Sequence, residues 1–289
     1  MNFRQISISH RSITIAAALL CVVSLGIGAH AALNKRALGA VHALAAEHSV
    51  EAAPKAQRIA LVIGNGHYPD ADAPLSQPIN DARGLTAALR QDGFDVEVVE
   101  DASKDDMSRA IGRLKSRIEP DSMVMLFFGG YGIQLGRESY MIPVDATIWK
   151  ESDVRRNGIS IESVLEMMKE QGARAKLAVI DASRRNPYER RFRAFSHGLA
   201  PINAPENALV LTSATPGKVA DDSAGHYSVL MAELLNNLNA QQAEKPAAET
   251  LFNRTRVAVA RASEGEQVPS VSSSLSEEVR LGTSESSGG

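Results

Sequence analysis

The sequence predicts an α/β protein, a doubly wound sandwich with a mostly parallel central sheet and helices on both faces. Three observations carry that expectation. The short continuous apolar runs Ile59–Ile63, Met123–Phe128, Leu177–Ile180 and Ala208–Leu211 read as strands buried on both faces. Segments of helical spacing lie between most of them, and such alternation argues parallel βαβ units. The first three runs close on glycine, asparagine or small polar residues, the punctuation of loops beyond strand ends.

The amino terminus reads as targeting, not fold. Arg4 and Arg11 supply a positive start, Ile13–Ile27 is apolar, and Ala29-His30-Ala31 offers a small-x-small cleavage site before Ala32. Residues 1–31 are therefore expected to be a signal peptide, 32–57 an Ala-rich linker, 58–282 the folded domain and 283–289 a disordered tail. The expected location is periplasmic or secreted, with no membrane insertion after cleavage. An uncleaved anchor is the alternative, although the apolar core is shorter than the ~20 residues a spanning helix needs. Cys21 is the only cysteine in the sequence. Bulky Leu20 before it argues against lipid attachment, and removal of the signal would leave a chain capable of neither disulfides nor thiolate chemistry.

From Arg58 onward each element has its own signal. Ile59–Ile63 is a strand that closes on Gly64-Asn65-Gly66. Pro69, Pro74 and Pro78 keep the following segment out of a helix until Asn80–Leu89, with apolar Ala82, Leu85 and Leu89 and a stop at Gly93. Phe94–Val99 alternates as a strand does. Ser103 and Asp106 form a capping-box pattern ahead of Met107, Ala110, Ile111, Leu114 and Ile118, and Pro120 ends that helix. The strand Met123–Phe128 runs into a glycine-rich loop, followed by a short strand Met141–Val144. A helix over 160–171 precedes Leu177–Ile180. Ala208–Leu211 is a further strand, and Tyr227–Leu238 and Glu249–Ala262 are helices.

Composition excludes several function classes. The formal net charge is −3 and aromatic residues make up 4%, so neither a basic face nor a stacking platform for nucleic acid is expected. Gly64-Asn65-Gly66 is continued by neither a dinucleotide fingerprint nor a P-loop, and no His/Cys/Asp spacing suits zinc. No cofactor and no metal are expected.

Two loops carry the chemistry. Ligands of open α/β sheets gather beyond the carboxyl ends of the strands, where Gly129-Gly130-Tyr131-Gly132 and Asp181-Ala182-Ser183-Arg184 fall. Together with Tyr140–Ala146, these loops resemble the caspase-like peptidases, specifically the bacterial branch related to metacaspases. In that family the first loop reads Ser-Gly-His-Gly and holds the catalytic His, and the second reads Asp-Ala-Cys-Arg and holds the nucleophilic Cys. The resemblance extends from Arg58-Ile-Ala-Leu-Val-Ile-Gly-Asn65 through Pro78-Ile-Asn-Asp-Ala-Arg83 and Ala208–Ala214 to Val268–Leu275. It implies a caspase-like sandwich with Tyr131 and Ser183 at the dyad positions.

An imidazole–thiolate dyad works because the imidazole stabilises the thiolate near neutral pH. A phenol with a pKa near ~10 cannot be that base for Ser183. The expectation is a catalytically silent peptidase homologue. The alternative is a hydrolase that uses Ser183 with another base, for which His67, His197 and His226 are the available imidazoles. The resemblance also implies substrate-binding carboxylates for Arg or Lys at Asp81 and Asp181, with Asp222 in the segment that resembles the family's substrate pocket. The expected partners are therefore peptide or protein segments bearing Arg or Lys. A competing reading makes Asp81 only a helix-start residue stabilised by the dipole, and Asp181 only a turn residue bonding loop amides. Parts of the resembled family depend on calcium, but the sequence has no confined carboxylate cluster to hold it.

Overall fold

The computed structural model describes residues 57–69, 74–185, 187–188, 198–220, 225–240 and 245–282. The expected signal peptide, the linker up to residue 56, the tail 283–289, His197 and Asp222 lie outside these residues. No described helix is long and apolar enough to cross a membrane.

A six-stranded sheet forms the centre, in the order β2-β1-β3-β7-β8-β9. Its strands are β1 (Arg58–Gly64), β2 (Asp95–Glu100), β3 (Met123–Gly129), β7 (Ala175–Asp181), β8 (Ala208–Thr212) and β9 (Ser270–Ser273). All neighbours are parallel except β9, which runs antiparallel to β8. The helices among the described residues are α1 (Pro78–Gln91), α2 (Lys104–Arg117), α3 (Glu151–Asn157), α4 (Ile161–Glu170), α5 (Val229–Asn239) and α6 (Ala248–Ala262).

Strand alternation divides the core between the two faces. Ala60, Val62, Phe127, Leu177 and Val179 pack with Leu85 and Leu89 of α1, Leu234 of α5 and Phe252 of α6. Ile59, Leu61, Ile63, Phe128 and Ile180 pack with Met107 and Leu114 of α2 and Leu165 of α4. The doubly wound sandwich is as expected, since strands buried on both faces need helices on both.

Several elements differ from the expected ones. α1 starts at Pro78, where a proline's missing N–H costs nothing and its φ suits the first turn. A separate three-stranded sheet joins β4 (Gly132–Leu135), β5 (Glu138–Met141) and β6 (Ile159–Ser160). The strand expected at Met141–Val144 thus ends where that sequence was to begin. Gly136 turns the β4–β5 hairpin at a φ of 66°, its register pairs Gly132 with Met141, and the chain then leaves the hairpin as Ile142 N–H bonds Tyr131 O. α3 contains one apolar residue, Val154, and so gives no periodicity; Asp153 caps its start by accepting from Trp149 and Lys150 N–H. At the carboxyl end Val279 and Leu281 are buried in the core.

Candidate functional site

Close packing at the strand ends builds the site. A Cβ on Gly64 would lie 2.5 Å from Pro78 O and 2.8 Å from the Ala82 Cβ. Only glycine lets the first turn of α1 descend onto the end of β1, and that descent carries Asp81 toward the end of the sheet. In register, Gly129 of β3 pairs with Asp181 of β7. Beyond it the two loops continue the ladder, with Gly130 N–H donating to Asp181 O (3.2 Å) and Gly132 N–H to Ala182 O (3.0 Å). Tyr131 and Ser183 therefore stand on adjacent loops joined through their main chains.

Their side chains do different things. Tyr131 is buried in an apolar cluster with Tyr68, Ile133, Ile142 and Tyr188. Its ring meets Tyr68 edge-on, centroids 4.8 Å apart, and its N–H donates to the Tyr68 hydroxyl at 3.0 Å. Ser183 is 1% exposed. Its N–H donates to Ser213 Oγ (3.3 Å) and its carbonyl accepts from Ala220 N–H (2.7 Å). The Ser183 Oγ has no hydrogen-bond partner among the described residues. Among the described residues no imidazole or carboxylate lies within hydrogen-bond reach to take its proton.

Beside the two loops lies an acidic pair. Asp81 and Asp181 are both buried, and each keeps an Oδ2 without a hydrogen-bond partner among the described residues. Asp81 Oδ1 accepts from Ser228 N–H at 3.0 Å, at the N-cap of α5. Asp181 Oδ1 faces Arg184 Nη1 at 3.6 Å. That guanidinium also donates to Gly130 O (3.0 Å) and to Asp181 O. Burial first, and repulsion by Asp181 second, push the Asp81 carboxyl up to about 7 against the opposing Ser228 bonds and Arg184 charge. Asp81, in the first turn of α1, thus also ties that helix to the start of α5.

A family model described as the caspase domain matches residues 57–280. The chain belongs to the caspase-domain family. The mucosa-associated lymphoid tissue lymphoma translocation protein 1 of Homo sapiens is 29% identical over 133 residues, which cover 46% of this chain and 16% of that protein. Its Mus musculus homolog matches with the same identity and coverage. The alignment spans less than a fifth of either relative.

Among the described residues of this caspase domain, the imidazoles of His67 and His226 are engaged elsewhere than at Ser183. His67 is exposed, and its Nδ1 lies 2.5 Å from Asp101 Oδ2. Asp101 Oδ1 also takes the N–H groups of Gly66 (2.8 Å) and His67 (2.9 Å). Burial would raise the Asp101 carboxyl, but these bonds together hold it below the ordinary value. The loop amides that a nucleotide phosphate would need are thus occupied by the chain's own carboxylate. His226 is exposed and stacks edge-on with Tyr227. No His/Cys/Asp/Glu group among the described residues could hold a metal ion.

Three residues that sequence reading passed over organise the site. Asn65 is fully buried; its Oδ1 accepts from Ala102 N–H (2.8 Å) and its Nδ2 reaches Ile142 O (3.3 Å). An asparagine between two glycines at a strand end was the available signal. Arg184 was visible only as the fourth letter of its loop, with nothing to show that it folds back onto Gly130. Ser228 is the helix N-cap, its Oγ accepting from Met231 N–H at 3.1 Å, and it lies 147 residues from its partner Asp81.

Proposed function

We propose that this chain is an exported caspase-family domain without peptidase activity, which binds peptide or protein segments bearing Arg or Lys. One observation supports silence above all: the hydroxyl at the nucleophile position is buried and, among the described residues, has no base within hydrogen-bond reach. Tyr131, at the base position, is spent on packing against Tyr68. The binding half rests on the buried pair Asp81 and Asp181, whose unpartnered oxygens suit a charge-assisted bond from a basic side chain. Both carboxylates are closed to solvent, and the described segment 225–228 is tied to Asn80 and Asp81 through His226 O and Ser228 N–H.

The test pairs calorimetry with activity. The purified protein should bind an Arg-bearing peptide in preference to its citrulline twin, with affinity weakening in salt. It should neither cleave that peptide nor label at Ser183 with a fluorophosphonate. Cleavage abolished by Ser183→Ala would instead establish the hydrolase. Equal binding of the two peptides would remove the acidic pair from recognition. Export is tested by sequencing the amino terminus of the mature chain, expected to begin at Ala32.

A further inference from the structure

The acidic pair is charge-unbalanced in a way that has a consequence for any ligand. Asp181 has a cation of its own, Arg184 at 3.6 Å. Among the described residues the donors to Asp81 are neutral, the N–H and hydroxyl of Ser228. Among the described residues the groups acting on Asp81 are Asp181 and Arg184 from β7 and its loop, and Ser228 from the start of α5, with the His226 carbonyl accepting from the adjacent Asn80. Among the described residues the two buried carboxylates share one guanidinium, and a second uncompensated charge in such a place is expensive. We propose that Asp81 and Asp181 form a proton-exchanging cation site: empty, the site keeps a proton on Asp81, and an entering guanidinium or ammonium group displaces it.

The exchange balances. The O–H bond of the Asp81 carboxyl breaks, its proton passes to the buffer, and one positive charge enters as one leaves. The net charge of the cluster is unchanged, so the buried site never carries two uncompensated anions. The position of the Asp81 titration, about 7, sets the working range: the site accepts basic groups above neutrality and rejects them in acid. This inference rests on the basic-segment reading above.

Isothermal calorimetry on the full chain tests it, with an acetylated peptide amide ending in arginine, in phosphate and in Tris, from pH 5.5 to 8.5. At pH 7 about half a proton should leave per peptide bound, so the heats in the two buffers should differ accordingly. Below pH ~6 the affinity should fall about tenfold per pH unit. Asp81→Asn, which retains an oxygen acceptor for Ser228, should bind with equal heats in both buffers and with an affinity independent of pH. Binding of the wild-type protein with equal heats in both buffers would overturn proton exchange and leave the basic-segment reading standing. Absence of binding even at pH 8.5 would overturn both.

Discussion

Removing the charge of Asp81 should make the protein more stable at alkaline pH, and the size of the effect follows from the site. In the unfolded chain this carboxyl titrates near 3.8; in the fold it is pushed up to about 7. Between those values the folded state holds a proton that the unfolded state has lost. Stability therefore falls as pH rises: the contribution is full below about 3.8 and gone above about 7. Each tenfold change in proton affinity is worth ~1.4 kcal/mol, so from pH 5 to pH 8 the wild-type protein should lose about 2–3 kcal/mol from this group.

Asp81→Asn retains an oxygen for the Ser228 N–H and carries no titratable proton, so it should lack this slope. Urea unfolding of both proteins at pH 5, 6, 7 and 8 provides the comparison. Glu162, also raised by burial, is common to both proteins and cancels in the difference. The variant should match the wild type within about 1 kcal/mol at pH 5 and exceed it at pH 8 by roughly the calculated loss. Parallel stability curves for the two proteins across pH 5–8 would refute the reasoning, because Asp81 would then be ionised in the fold throughout.

Three other expectations test the rest of the site. Arg184→Met should destabilise by about 3–5 kcal/mol, since it strands the buried Asp181 carboxylate, and Asp181→Asn in the same chain should recover part of that loss in a double-mutant cycle. Tyr131→His combined with Ser183→Cys should gain thiol-dependent peptidase activity that neither change produces alone, because base and nucleophile act as a unit; an active Ser183→Cys single variant would show that another base serves the site. Gly132→Ala should cost about 1–3 kcal/mol by overpacking, since its Cβ would lie 2.6 Å from a Leu199 methyl carbon and 2.7 Å from Ala182 O, and a thermal melt unchanged from wild type would contradict the close packing of the two loops.

What could be read in the sequence was what repeats locally. The buried strands β1, β3, β7 and β8 announce themselves as apolar runs, and α2 by its capping box, which the structure forms through Ser103 and Asp106. Elements without an apolar period were invisible. β9 is mostly serine and owes its place to pairing with β8, and α3 depends on a cap and one buried valine. In the site, the motifs brought Tyr131, Ser183, Asp81 and Asp181 into view, while their chemistry depended on contacts distant in sequence. No local pattern shows that Asp81 meets Ser228 or that Tyr68 lies under Tyr131. Asp222 lies outside the described residues.

The two halves of the site differ in what the fold asks of them. Loops 130–132 and 181–182 are joined through main-chain atoms, so the fold is indifferent to whether positions 131 and 183 carry an imidazole and a thiol. A tyrosine there even adds apolar contact with Tyr68. The acidic pair is the reverse case. An asparagine at position 81 would accept from Ser228 equally well without burying a charge, and a serine at 181 would leave Arg184 its bonds to Gly130 O and to the residue-181 carbonyl. Two buried carboxylates close enough to repel one another lower stability above neutral pH, and nothing in the packing of the strand ends requires both. A basic side chain entering the site would offset that cost, which is why the proposed binding of Arg- or Lys-bearing segments is most directly tested at the acidic pair.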